Sequence, residues 1–521
     1  MFMKVSSLAS LIHGDRFMST DVALPFRQDI IGHNLCSNVA KYPDGQAVLQ
    51  AQEVARFMSA IDQKYFFEME YDGLPIWGDI GFMEGPKHYL YTRYNFGISY
   101  HQEKIIAVNV TMSHPIQLLA LASDEHMPVM FSYSARWFHT DKNPIDRTEL
   151  YTSSMRSTTE SIHWVALVNS ICITSLGVVI LWAIMMRVLK KDTKKRLSHD
   201  SIDELGWKSI SGDVFRPPAQ KMYLASSIGV GAQLLVALVA FLILGLWGLI
   251  SKDEGDRTIT MLIVYVLTAF IAGYVATKVF IGLEGKKYAT NLLVASLLFT
   301  LPLFLIVAFG NFVAVGFSST AALPLAAVIK LVLILGLTAV PLSIAGGIVA
   351  KSRSKKFEAP TRTYSYKKEI PEVNFYQRPW FQFMVAGFIP FAASYMEIIQ
   401  FFSSNLNQAG LMFGLLVLIL LTIIVVTACV AAIFTFFQLS SGDYNWWLWS
   451  FGYGGSAAVW LVLYSLFYWA VQSNLRGFMQ FWHFFGTVLV CAWGVWLILG
   501  TIGFLTSYFL VKKMYSAIKA D

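Results

Sequence analysis

The chain has 521 residues, 55% of them hydrophobic and 14% charged, with a formal net charge of +7. A soluble domain carries about 25% charged residues, and here the apolar residues gather in runs of about 20, the length that crosses a hydrocarbon core ~30 Å thick. That composition excludes a soluble globular chain, and the Lys and Arg excess lies between the runs, where it reads as membrane topology rather than nucleic-acid binding.

Residues 1–160 are the non-membrane part. Met1–Gly14 has no signal-peptide core. Either the first apolar span acts as the insertion signal, or the true start lies upstream. Gln50–Lys64 has apolar residues at helical spacing and predicts one helix. Lys87–Met112 alternates apolar and polar residues, is rich in Tyr, Ile and Val, and predicts antiparallel strands; Met127–His139 reads the same way. A strand-dominated domain, such as a sandwich, with one helix is expected. Asn109-Val110-Thr111 is a glycosylation sequon, although sequons also occur by chance. Of the four cysteines, only Cys36 lies outside the apolar runs, so no disulfide framework or zinc spacing exists.

Nine apolar spans follow: Trp164–Met186, Leu224–Ile250, Ile259–Ile281, Ala289–Val313, Leu325–Val349, Phe381–Phe402, Leu411–Phe437, Phe451–Val471 and Phe481–Val511. The last is long enough to tilt or to include an interfacial turn. The loops after the first, third and fifth spans are basic, as is the tail with Lys512, Lys513 and Lys519. The alternate loops hold only Lys252, Arg257 and Arg476. Positive residues stay cytosolic, which predicts a lumenal N-terminal region and a cytosolic C-terminus. The expected domains are a lumenal β-rich domain (1–160), a first helix (164–186), a cytosolic loop (187–223), an eight-helix bundle (224–511) and a cytosolic tail (512–521).

The loop stretch Gly206–Pro218 reads GWKSISGDVFRPP and ends in two prolines that cannot continue a helix. It resembles the signature after the first helix of the nonaspanins, the transmembrane-9 superfamily also called endomembrane protein 70. Tyr71–Gly78 and Tyr89–Thr92 look like that family's lumenal motifs. Ser161–Trp164, Arg362-Thr363, Ile370-Pro371-Glu372, Phe375-Tyr376, Pro390-Phe391, Asp443–Trp447 and Gly500–Phe504 follow in family order. Family members start with a signal peptide and a longer lumenal domain. His13–Arg16 looks internal to that domain, so the N-terminus reads as shortened. Ser211 stands where the family often has His, Gly442 replaces an acidic residue, and Cys429 occupies a position where many members carry a membrane Glu. The last departure weakens any ion-handling site in the seventh helix.

The resemblance implies that a terminal Lys-x-Asp, here Lys519 and Asp521, binds the COPI coat and retains the chain in Golgi-type membranes; from charge alone it is a solvated tail. Within the bilayer, Lys330 and Glu397 fall at similar depth by helical rise. They form an intramembrane pair that relieves the cost of each charge, or Lys330 snorkels and Glu397 meets polar groups of a neighbouring helix. Lys278 near a span end is expected to snorkel. Trp446, Trp447 and Trp449 read as an aromatic belt, and Ser226, Ser227, Gly229 and Gly231 as a close-packing face. Asp213 and Arg216 are placed to pair and dock the loop. No catalytic constellation, metal site or cofactor motif is expected. The fold class is a polytopic α-helical membrane protein with nine transmembrane helices and a β-rich lumenal domain. The function implied is a Golgi and endosomal protein that localises client membrane proteins with glycine-rich transmembrane segments. The alternative is a transporter or channel, with which Pro302, Pro341 and Pro390 inside spans are compatible.

Overall fold

The computed structural model describes residues 3–4, 17–18, 22, 24–35, 47–71, 74–119, 126–141, ten residues between 175 and 190, 207–250, 254–316, 322–354, 360–361, 366–403, 409–471 and 478–516. The first predicted span, the His13–Arg16 motif, Cys36 and the Lys519/Asp521 tail fall mostly or wholly outside the described residues. Two compact units form: Met1–Lys4 with Arg16–Ser161, and Val5–Asp15 with Ile162–Asp521.

Besides a two-residue antiparallel pair, Met3–Lys4 with Phe17–Met18, the strands of the first unit are β1 Ile30–Asn34, β2 Ala47–Gln50, β3 Phe66–Tyr71, β4 Leu74–Asp79, β5 Gly81–Glu84, β6 Lys87–His101, β7 Lys104–Leu118, β8 His126–Val129 and β9 Ser132–His139. The one helix is α1, Ala51–Asp62, where the sequence predicts it. Its start is a capping box, with the Gln50 amide donating to Glu53 at 3.0 Å. β6 is the axis of the main sheet. It pairs antiparallel with β7 along one edge, and with β5 and then β9 along the other; β1 extends β9. β9 runs parallel to β6, from Ser132 opposite Arg93 to His139 opposite Tyr100. Parallel pairing needs a long crossover, and the chain between β7 and β9 supplies it, with β8 pairing β2 on the way.

Alternation along β6 and β7 decides which face is covered. Leu90, Phe96, Ile98, Val108 and Val110 are buried together. The β3–β4 hairpin covers part of this face through Leu74 and Ile76. α1 covers the rest, packing Val54 and Ile61 on Leu90 and Leu118. The expected sandwich is thus one principal sheet whose cover is a hairpin plus a helix. Asn109 and Thr111 point to the other face and are exposed.

The second unit has seven helices long and apolar enough to cross a membrane among the described residues. They comprise α2 Lys221–Leu246; α3 Glu254–Gly282; α4 Tyr288–Leu298 continued by α5 Thr300–Gly316; α6 Leu325–Ile334 continued through a π turn, Leu335–Ala339, into α7 Val340–Arg353; α9 Ala409–Ser440; α10 Trp446–Gly455 continued by α11 Ala457–Val471; and α12 Phe478–Ser516. α8, Pro379–Ser403, is a 25-residue helix over the sixth predicted span.

Proline chemistry explains the interruptions. Pro302 and Pro341 lack an amide hydrogen and crowd the carbonyl four residues back. The α4–α5 break falls at that carbonyl, Leu298, which instead accepts the Trp493 indole N–H at 3.2 Å. For Pro341 the affected residue, Leu337, lies in the π turn, which widens the helix.

Lipid is as apolar as a leucine surface, so close packing rather than hydrophobicity holds such helices together. α3 and α7 run parallel in close contact. A Cβ on Gly273 would collide with the Ser343 carbonyl, and one on Gly346 with that of Phe270. Gly231 allows the same approach of α2 to Leu497 on α12, as its small-residue face predicts. Gly442, in the turn between α9 and α10, has φ +87°, which strains any side chain, and an added Cβ would meet Pro371. The glycine in place of an acidic residue fits this backbone.

Candidate functional site: a docked loop and an intramembrane cleft

The polar loop Trp207–Pro218 is not a free tether. A short 3-10 turn, Trp207–Ile210, and the buried Ile210, Val214 and Phe215 seat it against the bundle. Trp446 and Trp447, consecutive at the start of α10, both donate their indole N–H to the Val214 carbonyl, at 2.9 and 3.2 Å. Their rings stack with centroids 4.4 Å apart. Both are buried, so the expected aromatic belt is corrected: they are a clamp for the loop. An exposed belt tryptophan keeps its N–H in the wet interface, whereas these two have a protein acceptor 232 and 233 residues away. Trp449 is half-buried against Tyr453.

A second clamp comes from the end of α12. The Tyr515 hydroxyl donates to the Trp207 carbonyl at 2.5 Å, and the Tyr515 ring meets Trp207 and Phe215 edge-on. α12 has 39 residues, about 58 Å at 1.5 Å per residue. It is therefore far longer than the hydrocarbon core, and its C-terminal turn carries the loop contact. The interfacial turn considered for this span is absent among the described residues.

Within the loop, Arg216 Nη2 donates to Asp213 Oδ1 at 2.6 Å, and the Asp213 side chain is 3% exposed. This is the pair the sequence suggests. Asp213 Oδ2 also accepts the Lys368 amide at 3.2 Å. Lys368 Nζ donates to the Ser209 carbonyl, Thr361 Oγ1 to the Ser211 carbonyl, and Arg216 to the Tyr366 carbonyl. Two basic loops thus join through backbone acceptors. The Thr361 bond to Ser211 uses only the Ser211 main chain, so Ser in place of His leaves it intact. Beneath them, Asp443 Oδ2 accepts from Gln438 Nε2 at 2.8 Å, and the Tyr453 hydroxyl lies 3.1 Å from both the Gln438 and Gln382 amide oxygens.

The bundle also holds an open cleft among α3, α4, α6 and α7. One lobe has a volume of 550 Å³ and runs along Leu292, Ile344 and Ile348 to Tyr288 and Lys351 at its mouth. The adjoining lobe, 190 Å³, reaches the π turn. It is lined by a polar row: Gln233 donates to the Tyr265 carbonyl, the Tyr265 and Thr300 hydroxyls pair at 2.9 Å, and Ser296 donates to Ser343.

The other predicted residues fall as follows. Asn109 is accessible on β7. Lys330 lies on α6, exposed, with no ion pair among the described residues. Glu397 lies on α8, and its side chain is outside the described residues, as are Lys519 and Asp521. Lys278 is exposed, its Nζ 5.8 Å from the Tyr274 ring centre, one turn back along α3. The parallel β6–β9 pairing brings His101 and His139 together with Asp141, ligand atoms within 4.8 Å, a grouping that sequence spacing hides. His101 Nδ1 lies 2.8 Å from the Thr140 carbonyl, and Asp141 is fully exposed, 3.8 Å from His139.

Comparison with known proteins agrees with this architecture. The pattern of the family described as Endomembrane protein 70 matches residues 3–478. The chain is 36% identical over 535 residues to "Transmembrane 9 superfamily member 3" of Arabidopsis thaliana, covering 99% of this chain and 88% of that protein. It is 32% identical to "Transmembrane 9 superfamily member 1" of Mus musculus, at 99% and 88% coverage. "Putative phagocytic receptor 1b" of Dictyostelium discoideum is also 32% identical, at 99% and 89% coverage. No solved structure matches the chain.

Proposed function

The chain belongs to the Endomembrane protein 70 family, the transmembrane 9 superfamily, and from that premise we propose that it is a nine-span protein of Golgi and endosomal membranes that sorts other membrane proteins. The observation that carries this reading is the anchorage of α12. Its last turn is bolted to the Trp207–Pro218 loop, which is hydrogen-bonded to the other strongly basic loop, and Lys519 and Asp521 follow that turn in sequence. Loops of that charge lie in the cytosol, where a short peptide with an ammonium and a carboxylate meets the COPI coat. Clients with glycine-rich spans would dock on helix faces that leave the backbone approachable. Gly336 in the π turn and Gly414 on α9 have open space where a Cβ would stand.

The test is a tagged chain carrying Lys519→Ala and Asp521→Ala. It is expected to leave the Golgi and lose COPI in a pull-down; unchanged residence would falsify the retention role. On the same topology the β-rich unit is lumenal, and Asn109 carries a glycan. An endoglycosidase is expected to speed the wild-type band on a gel and to leave Asn109→Gln unmoved. A wild-type band that never shifts sinks this assignment.

A further inference from the structure

We propose that the larger lobe of the α3–α4–α7 cleft is a binding site for one anionic glycerophospholipid, with its phosphate at Lys351 and Tyr288 and one acyl chain along the lobe. Three features match three parts of that molecule. The mouth is cationic: Lys351 Nζ lies 3.8 Å from the centre of the Tyr288 ring, both side chains are exposed, and the exposed Lys286 and Lys287 immediately precede Tyr288 in sequence. Lys351 has no ion pair among the described residues, so its charge is available to a phosphate. A basic pocket between membrane helices at the interface is the kind of site that holds anionic headgroups.

Deeper in the lobe is a hydroxyl without a partner. Thr277 is 1% exposed, its Oγ1 has no hydrogen bond, and it lines the cleft. Thr268 and Thr300 bond the carbonyl four residues back in their helices; Thr277 does not. A buried hydroxyl left unpaired costs roughly 1–3 kcal/mol, which an ester carbonyl of the lipid would relieve. The depth suits that role. Thr277 sits against Gly347, one turn of α7 below Lys351, about 6 Å toward the membrane centre. Glycerol ester oxygens follow the phosphate at that level. Beyond them the wall is apolar: Leu292, Leu293, Leu297, Val340, Ile344 and Ile348. The volume, 550 Å³, falls within the ~300–1,000 Å³ of small-ligand sites. The inference requires only that the bundle lies in a bilayer, so it stands or falls separately from the sorting role.

The experiment uses the purified full chain in detergent, titrated with dioleoyl phosphatidic acid or dioleoyl phosphatidylcholine. Retained lipid is counted by native mass spectrometry, and melting temperature is read alongside. Phosphatidic acid is expected to bind more tightly and to raise the melting temperature more. Lys351→Gln, at an exposed position, should melt as the wild type does without lipid, and should lower the preference for phosphatidic acid about fivefold, the effect of one interfacial cation. Thr277→Val should weaken both lipids alike. Should Lys351→Gln not purify, Lys287→Gln combined with Tyr288→Phe reads the same preference. Equal binding of the two lipids by the wild type overturns the proposal, and so does a preference that survives these variants. Displacement of phosphatidic acid by millimolar inorganic phosphate alone would make it a free-anion site and also overturn it.

Discussion

Replacing Trp446 by alanine is expected to destabilise the membrane unit by about 3–5 kcal/mol, the usual loss for a buried aromatic. Trp446 is fully buried, its ring stacks on Trp447 and Phe504, and its indole donates to Val214. Truncation removes packing, opens a cavity and takes one of two donors from the loop carbonyl. Trp446→Phe separates these effects. It keeps most of the ring and loses the hydrogen bond, for which ~1 kcal/mol plus a smaller cavity is expected. SDS titration of the detergent-solubilised chain measures both. A Trp446→Ala variant as stable as the wild type would show that the clamp does not hold the bundle. Protease cleavage within 207–218 should rise in parallel, because the loop is seated by that contact.

The second large effect is expected at Asp213. Removing one partner of a buried ion pair costs about 3–5 kcal/mol, since the other charge is stranded. Arg216 is 22% exposed and also reaches the Tyr366 carbonyl, so Asp213→Ala is expected near the lower end, about 3 kcal/mol. Two further groups lose an acceptor: the Lys368 amide and the second nitrogen of Arg216. Asp213→Ala and Lys368→Pro, which deletes that amide hydrogen, should therefore be less than additive. Strict additivity would mean that Asp213 and the 366–374 segment do not share an interaction. This distinguishes a loop that joins two polar segments from one that merely pairs internally.

The membrane architecture is a family property shown by nearly full-length similarity to transmembrane 9 relatives. Relatives match 99% of the chain, and one is described as a phagocytic receptor. The prolines within spans, which also suit a transporter, have a structural account at two of three positions. Trp493 takes the Leu298 carbonyl that Pro302 frees, and a π turn contains the residue that Pro341 affects.

The sequence by itself determined the membrane character of the chain. It also placed seven long helices to within a few residues of their observed ends, α1, and the strands β6, β7 and β9. Each rests on local chemistry: run length, period-two alternation, and apolar residues at helical spacing. The Asp213–Arg216 pair was legible for the same reason, because its members are three residues apart. Only the tertiary structure decided the parallel pairing of β9, the Trp446–Trp447 clamp, the anchorage of Tyr515 and the α3–α4–α7 cleft. These join residues far apart in sequence. In a soluble helix the apolar stripe reveals the buried face, but a membrane helix is apolar all round. The face that meets protein is then indistinguishable from the face that meets lipid. Trp446 and Trp447 therefore read as a belt in sequence, and only the Val214 carbonyl at hydrogen-bond distance from both shows that they close on the loop.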